Sequence, residues 1–64
     1  MLDIIDKLKK IREDREITQK ELSQMSGVSY STLTKLESGV IKNPSFAVIT
    51  KIIKALDLRV DDLI

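Results

Sequence analysis

The sequence predicts an all-α fold, five short helices gathered into one domain over residues 1–64. Three observations carry that expectation. Apolar residues recur at three- and four-residue spacing, and the alternation that marks a half-buried strand is missing throughout. Helix-start signals stand at Thr18 with Glu21, and again at Ser29. The only two glycines, Gly27 and Gly39, fall where the second and third helices have to stop.

The first helix is expected over residues 2–14, with Ile4, Ile5, Leu8 and Ile11 on one stripe and Asp3 as its cap. Lys7, Lys9, Lys10 and Arg15 lie mostly off that stripe and read as a solvated face. Arg12 follows Leu8 by four and sits beside the buried side, so it has to snorkel or find a carboxylate. The second helix is expected over 19–26. Thr18 and Glu21 form its capping box, while Ile17 and Leu22 can close a hydrophobic staple.

The same start recurs at Ser29, with Val28 before it and Leu33 as the staple partner, and predicts a third helix over 30–37. Leu22 and Met25 are the apolar residues of the second helix, Leu33 and Leu36 those of the third. Helices this short are not stable alone in water and must be held by packing. Gly27 between them can take a left-handed backbone at no steric cost, which makes residues 17–39 a helix, a tight turn and a helix. That geometry is one used to place a second helix in the major groove of DNA.

Val40, Ile41, Lys42, Asn43 and Pro44 form the one substantial loop, and either Asn43 or Ser45 caps the next helix. Phe46, Ile49, Ile52, Ile53 and Leu56 form the apolar stripe of that fourth, core-facing helix. Asp57 and Leu58 turn the chain. Val60 to Ile64 is expected as a fifth helical turn, with Leu63 and Ile64 closing the base of the core.

Composition limits what such a chain can do. With 42% hydrophobic and 33% charged residues it is globular rather than disordered. Sixty-four residues lie near the lower limit for one core. It has no cysteine and no histidine, hence no disulfide, no thiolate chemistry and none of the usual zinc ligands; no cofactor is expected, and a cytoplasmic setting fits. No apolar run reaches the roughly 20 residues that span a bilayer, and the first residues read as a native start rather than a signal peptide. The serines have no histidine to activate them and no glycine-rich phosphate loop is present, so catalysis is not expected. The net charge of +1 means that a polyanion would have to be met by a few placed cations and helix N-termini.

In order along the chain, Leu8-Lys9-Lys10-Ile11-Arg12, Ile17-Thr18-Gln19-Lys20-Glu21-Leu22, Ser26-Gly27-Val28-Ser29 and Leu33-Thr34-Lys35-Leu36-Glu37-Ser38-Gly39 resemble the lambda-repressor-like, Cro/CI-type (XRE) helix-turn-helix regulators. The resemblance continues through Asn43-Pro44-Ser45-Phe46 and Ile52-Ile53-Lys54-Ala55-Leu56 to Val60-Asp61-Asp62-Leu63. It implies a sequence-specific regulator of transcription, a repressor by expectation. Helices two and three form its helix-turn-helix. It implies that helix three faces base edges with Ser29, Tyr30, Ser31, Thr32 and Lys35. Gln19, Lys42 and Asn43 follow the phosphates, and Arg12 pairs with Glu37. Thr34, a short polar group on the same helix, is added to the phosphate set. The chain departs from the family pattern at three places. Ser23 stands for the customary alanine, Arg59 for the serine or threonine cap of the last helix, and Ile53 for a small residue.

The partner implied is a palindromic double-stranded DNA operator read by a homodimer, which can form on the DNA alone. Candidates for the pairing surface are Val40 and Ile41 in the loop, or residues 60–64. No membrane association and no small-molecule ligand are expected. The alternative is a protein-interaction module, such as an antitoxin or controller subunit acting mainly with a protein partner, because a fold does not by itself fix function.

Overall fold

The computed structural model describes residues 4–63, in which the chain forms α1 (Ile4–Asp14), α2 (Gln19–Ser26), α3 (Tyr30–Ser38) and α4 (Phe46–Ala55), then a short 3₁₀ turn (Val60–Asp62). The all-α class holds. The fifth helix expected from the sequence is that one 3₁₀ turn. The expectations for Asp3 and Ile64, and for the side chain of Val60, lie outside what is described.

Among the described residues, eight apolar ones form the buried core: Ile5 and Leu8 of α1, Leu22 of α2, Val28 of the turn, Leu33 and Leu36 of α3, Ile52 of α4 and Leu56 just after it. α2 packs against both α3 and α4, and α1 against α3. Leu22, with 1% of its surface exposed, is therefore enclosed on a helix of only eight residues. Burying such a leucine contributes about 1.5–3 kcal/mol, which is what a helix too short to persist alone requires.

The start signals form as the sequence predicts. Thr18 Oγ1 accepts from the Glu21 N–H at 3.0 Å while Glu21 Oε1 accepts from the Thr18 N–H at 2.9 Å. Ser29 accepts from the Thr32 N–H, and Ser45 rather than Asn43 caps α4 by accepting from the Val48 N–H. Gly27 and Gly39 stop α2 and α3 with φ of 78° and 86°, the left-handed region where only glycine is free of steric cost.

Two other helix ends use that region without glycine. At the end of α1, Glu16 (φ 58°) sits where the Ile17 N–H reaches the Arg12 carbonyl and its own N–H reaches that of Glu13. At the end of α4, Asp57 (φ 52°) repeats the arrangement, with the Leu58 N–H on the Ile53 carbonyl. Both are Schellman closures, in which the crossed hydrogen bonds offset the strain of a side chain at positive φ.

The outer faces depart from the spacing. Phe46, placed on the core stripe of α4 by its periodicity, is the first residue of that helix and is 83% exposed. Met25, in the last turn of α2, is 52% exposed. Ile41 is not a free loop residue: it packs half-buried against the core and its N–H donates to the Lys35 carbonyl. Two cations assigned to a solvated face are tied down, Lys7 donating to the Leu63 carbonyl at 2.6 Å and Arg15 to the Leu56 carbonyl. Arg59 does not leave the last turn uncapped, since Asp62 Oδ2 accepts its N–H at 2.8 Å.

Candidate nucleic-acid interface

The turn between α2 and α3 is cross-braced by serines. Ser23 Oγ donates to the Val28 carbonyl at 2.6 Å, and Ser26 Oγ accepts the Val28 N–H at 3.1 Å. Both peptide groups of the buried turn residue are thereby satisfied, which explains how a serine is accommodated at a tight helix contact. With Val28 anchored in the core at 5% exposure, α3 leaves the turn in a set direction.

That direction leaves the first turns of α3 uncovered. Tyr30 is 54% exposed, and Ser29, Ser31 and Lys35 are exposed beside it. Thr32 and Thr34 are half-buried. The short hydroxyls are engaged locally: Ser29 Oγ donates to Thr32 Oγ1 at 2.8 Å, and Thr34 Oγ1 donates to the Ser31 carbonyl at 2.8 Å. Among the described side chains of residues 29–35, those still free to donate outward are the hydroxyls of Tyr30, Ser31 and Thr32 and the ammonium of Lys35.

At the other end of α3 the loop folds back. The Ile41 N–H bond to the Lys35 carbonyl draws the chain across the last turn, so Lys42 and Asn43 emerge exposed just beyond it. The start of α2 lies at this end as well, because Gln19 Nε2 donates to Glu37 Oε1 at 2.9 Å. The polar residues singled out by sequence therefore form two groups. Ser29, Tyr30, Ser31, Thr32 and Lys35 stand along the exposed side of α3, with Gln19, Lys42 and Asn43 near its end.

Glu37 links that end to α1. Arg12 Nε donates to Glu37 Oε2 and Arg12 Nη2 to Glu37 Oε1, each at 2.8 Å, and the two side chains are 10% and 7% exposed. Arg12 Nη1 also donates to the Ile17 carbonyl. The hydrogen bonds with Glu37 push the Arg12 pKa above its usual value, against the opposing effect of burial. A bidentate pair of this kind removes the negative charge of Glu37 from the surface that Gln19 shares.

Sequence reasoning did not find the Gln19–Glu37 bond or the bracing by Ser23, since neither leaves a local signal. No group of three or more acids, histidines or cysteines able to hold a metal ion occurs among the described residues, and no helix there is long and apolar enough to cross a membrane.

No curated protein and no solved structure is similar enough to match the chain. A helix-turn-helix family model does match, over residues 8–63, from the second half of α1 through the terminal turn. On that match, together with two capped helices crossing at Gly27 and a third-helix face left open, the chain belongs to the lambda-repressor-like helix-turn-helix family of DNA-binding domains.

Proposed function

We propose that this chain is a sequence-specific transcriptional regulator, a repressor, that reads the major groove of double-stranded DNA with α3. The observation that carries the reading is the exposed polar face at the start of α3, set on a braced helix-turn-helix. Ser29, Tyr30, Ser31, Thr32 and Lys35 take the base edges, and Gln19, Thr34, Lys42 and Asn43 take the phosphates. Lys35 can donate to guanine O6 and N7, and the Tyr30 ring can meet a thymine methyl. Occupying the groove excludes other proteins from the site, which is the basis for reading the output as repression.

One copy covers one half-site, so selectivity is expected from a homodimer on a palindromic operator. Val40, 68% exposed in the loop after Gly39, is the residue of the two loop candidates that stays available for pairing. The test is selection of sites from a random duplex pool, with mass measurement of the complex. The expected result is an inverted repeat carrying two copies, whose retardation falls steeply with added salt. Replacing Lys35 or Tyr30 by alanine then costs about 1–3 kcal/mol at one operator position. A chain that retards no duplex, or whose preference survives both replacements, is not a reader of this kind.

A second reading, an interaction module acting with a protein partner, is favoured by the exposed Val40 and Phe46. Indifference to every duplex together with partner-dependent solubility would select it.

A further inference from the structure

We propose that Glu37 is a positioning residue for the phosphate contact assigned to Gln19, holding its carboxamide in one orientation and leaving one defined N–H for a phosphate oxygen. The inference rests on the DNA-binding reading above. It starts from a closed circuit of hydrogen bonds. Arg12 holds the Ile17 carbonyl and both oxygens of Glu37, and Glu37 in turn holds Gln19, two residues on from Ile17. An ion pair that served stability alone would not need the fourth member.

Each link fixes the next. Two bonds of 2.8 Å from Arg12 set the plane of the Glu37 carboxylate. A carboxylate can only accept, so only the amide nitrogen of Gln19 can face it, and the flipped amide would set oxygen against oxygen. One of the two amide hydrogens is used in the 2.9 Å bond to Glu37 Oε1, and the direction of the other follows from the planar amide. Among the described residues that second N–H has no partner. It stands at the first position of α2, where the cap hydroxyl of Thr18 takes only the Glu21 N–H. A glutamine held this way has already lost the rotamer freedom that an untethered one would lose on binding, a difference of about three- to tenfold in affinity.

The test uses a duplex obtained by site selection and copies in which single backbone phosphates are replaced by neutral methylphosphonates. One replacement should weaken the wild-type chain and leave Gln19→Ala unaffected, which marks the phosphate that Gln19 meets. Glu37→Gln keeps the side-chain volume but loses the fixed acceptor. It should reduce wild-type affinity about three- to tenfold, have no effect in the Gln19→Ala background, and have none on the duplex lacking that phosphate. Equal losses in both backgrounds, or on both duplexes, would show a structural role only and overturn the proposal, as would no loss at all. A second measurement needs no variant. NMR relaxation of the Gln19 side-chain amide in the free chain should give an order parameter near the rigid-backbone value of about 0.85, and a value below about 0.6 overturns the proposal. If the wild-type chain retards no duplex, the DNA-binding reading fails and the proposal with it, a result distinct from a mobile amide.

Discussion

Phe46 and Leu33 show how far residue spacing can be trusted. Both sit on apolar stripes, yet Leu33 is 1% exposed and Phe46 83%. Replacing Leu33 by alanine removes contacts on all sides and is expected to cost about 2–5 kcal/mol. In a domain of this size that is a large part of the total stability. Phe46→Ser should change the unfolding free energy by less than about 0.5 kcal/mol, as exposed positions do. Urea unfolding of the two variants at neutral pH checks both, and a large loss for Phe46→Ser would mean that the ring is covered in solution. Periodicity reports which side of a helix an apolar residue occupies, not whether the neighbouring helix is long enough to cover it. Met25 shares α2 with the buried Leu22, and Phe46 shares α4 with the buried Ile52, yet both are exposed. Arg12 and Glu37 are a different case. A cation beside a buried stripe demands an acid, but that the same acid also binds Gln19 depends on three elements converging, and nothing near Gln19 in the sequence signals it.

At the scale of single helices the sequence was far more legible, because capping chemistry is local. Thr18, Glu21, Ser29, Ser45, Gly27 and Gly39 all stand where the helices begin or end. The capping box has a pH signature. Hydrogen bonding from Thr18, first its backbone N–H and then its hydroxyl, holds the Glu21 carboxyl below the usual carboxylate range. A group whose folded pKa is lowered adds stability above its unfolded pKa and loses it as pH falls through the folded one. The stability advantage of wild type over Glu21→Leu should therefore be full at neutral pH. It should shrink as pH drops from the ordinary glutamate range through the lowered value, which denaturant melts at a series of pH values would follow. An advantage independent of pH would mean that packing, not the charged cap, carries it. The end of α4 was legible as a turn at Asp57, a residue type that tolerates the left-handed backbone, whereas the end of α1 was less so, since glutamate does not announce the left-handed backbone of Glu16. Glycine at position 16 relieves about 1–2 kcal/mol of strain. It gives back about 0.4–1 kcal/mol through a freer unfolded chain. Glu16→Gly should raise the melting temperature by a few degrees, the usual response of a small domain to about half a kcal/mol. A lower melting temperature would show that the Glu16 side chain contributes more than its backbone costs.

The whole molecule carries eleven cations against ten acids, and the structure commits donors of several of those cations to groups of the chain itself. Arg12 is held by Glu37, Lys7 by the Leu63 carbonyl and Arg15 by the Leu56 carbonyl. Of the four proposed phosphate contacts only Lys42 is charged; Gln19 and Asn43 are neutral donors, and the Thr34 hydroxyl can become one only by releasing the Ser31 carbonyl. Neutral donors add affinity without displacing counterions in the way that cations do, and each phosphate neutralised by a cation adds about 0.9 to the slope of log affinity against log salt. The two kinds of contact can therefore be separated in one experiment. Lys42→Ala should reduce the slope by about one for each bound copy. Gln19→Ala should lower affinity at every salt concentration and on all sequences alike, with the slope nearly unchanged. Binding isotherms over a range of potassium concentrations, on the selected operator and on an unrelated duplex, read both quantities. A Lys42→Ala chain with an unchanged slope would mean that the cations meeting the DNA are others than Lys42. The backbone would then be followed by a different face from the one bounded by the start of α2 and the loop after α3.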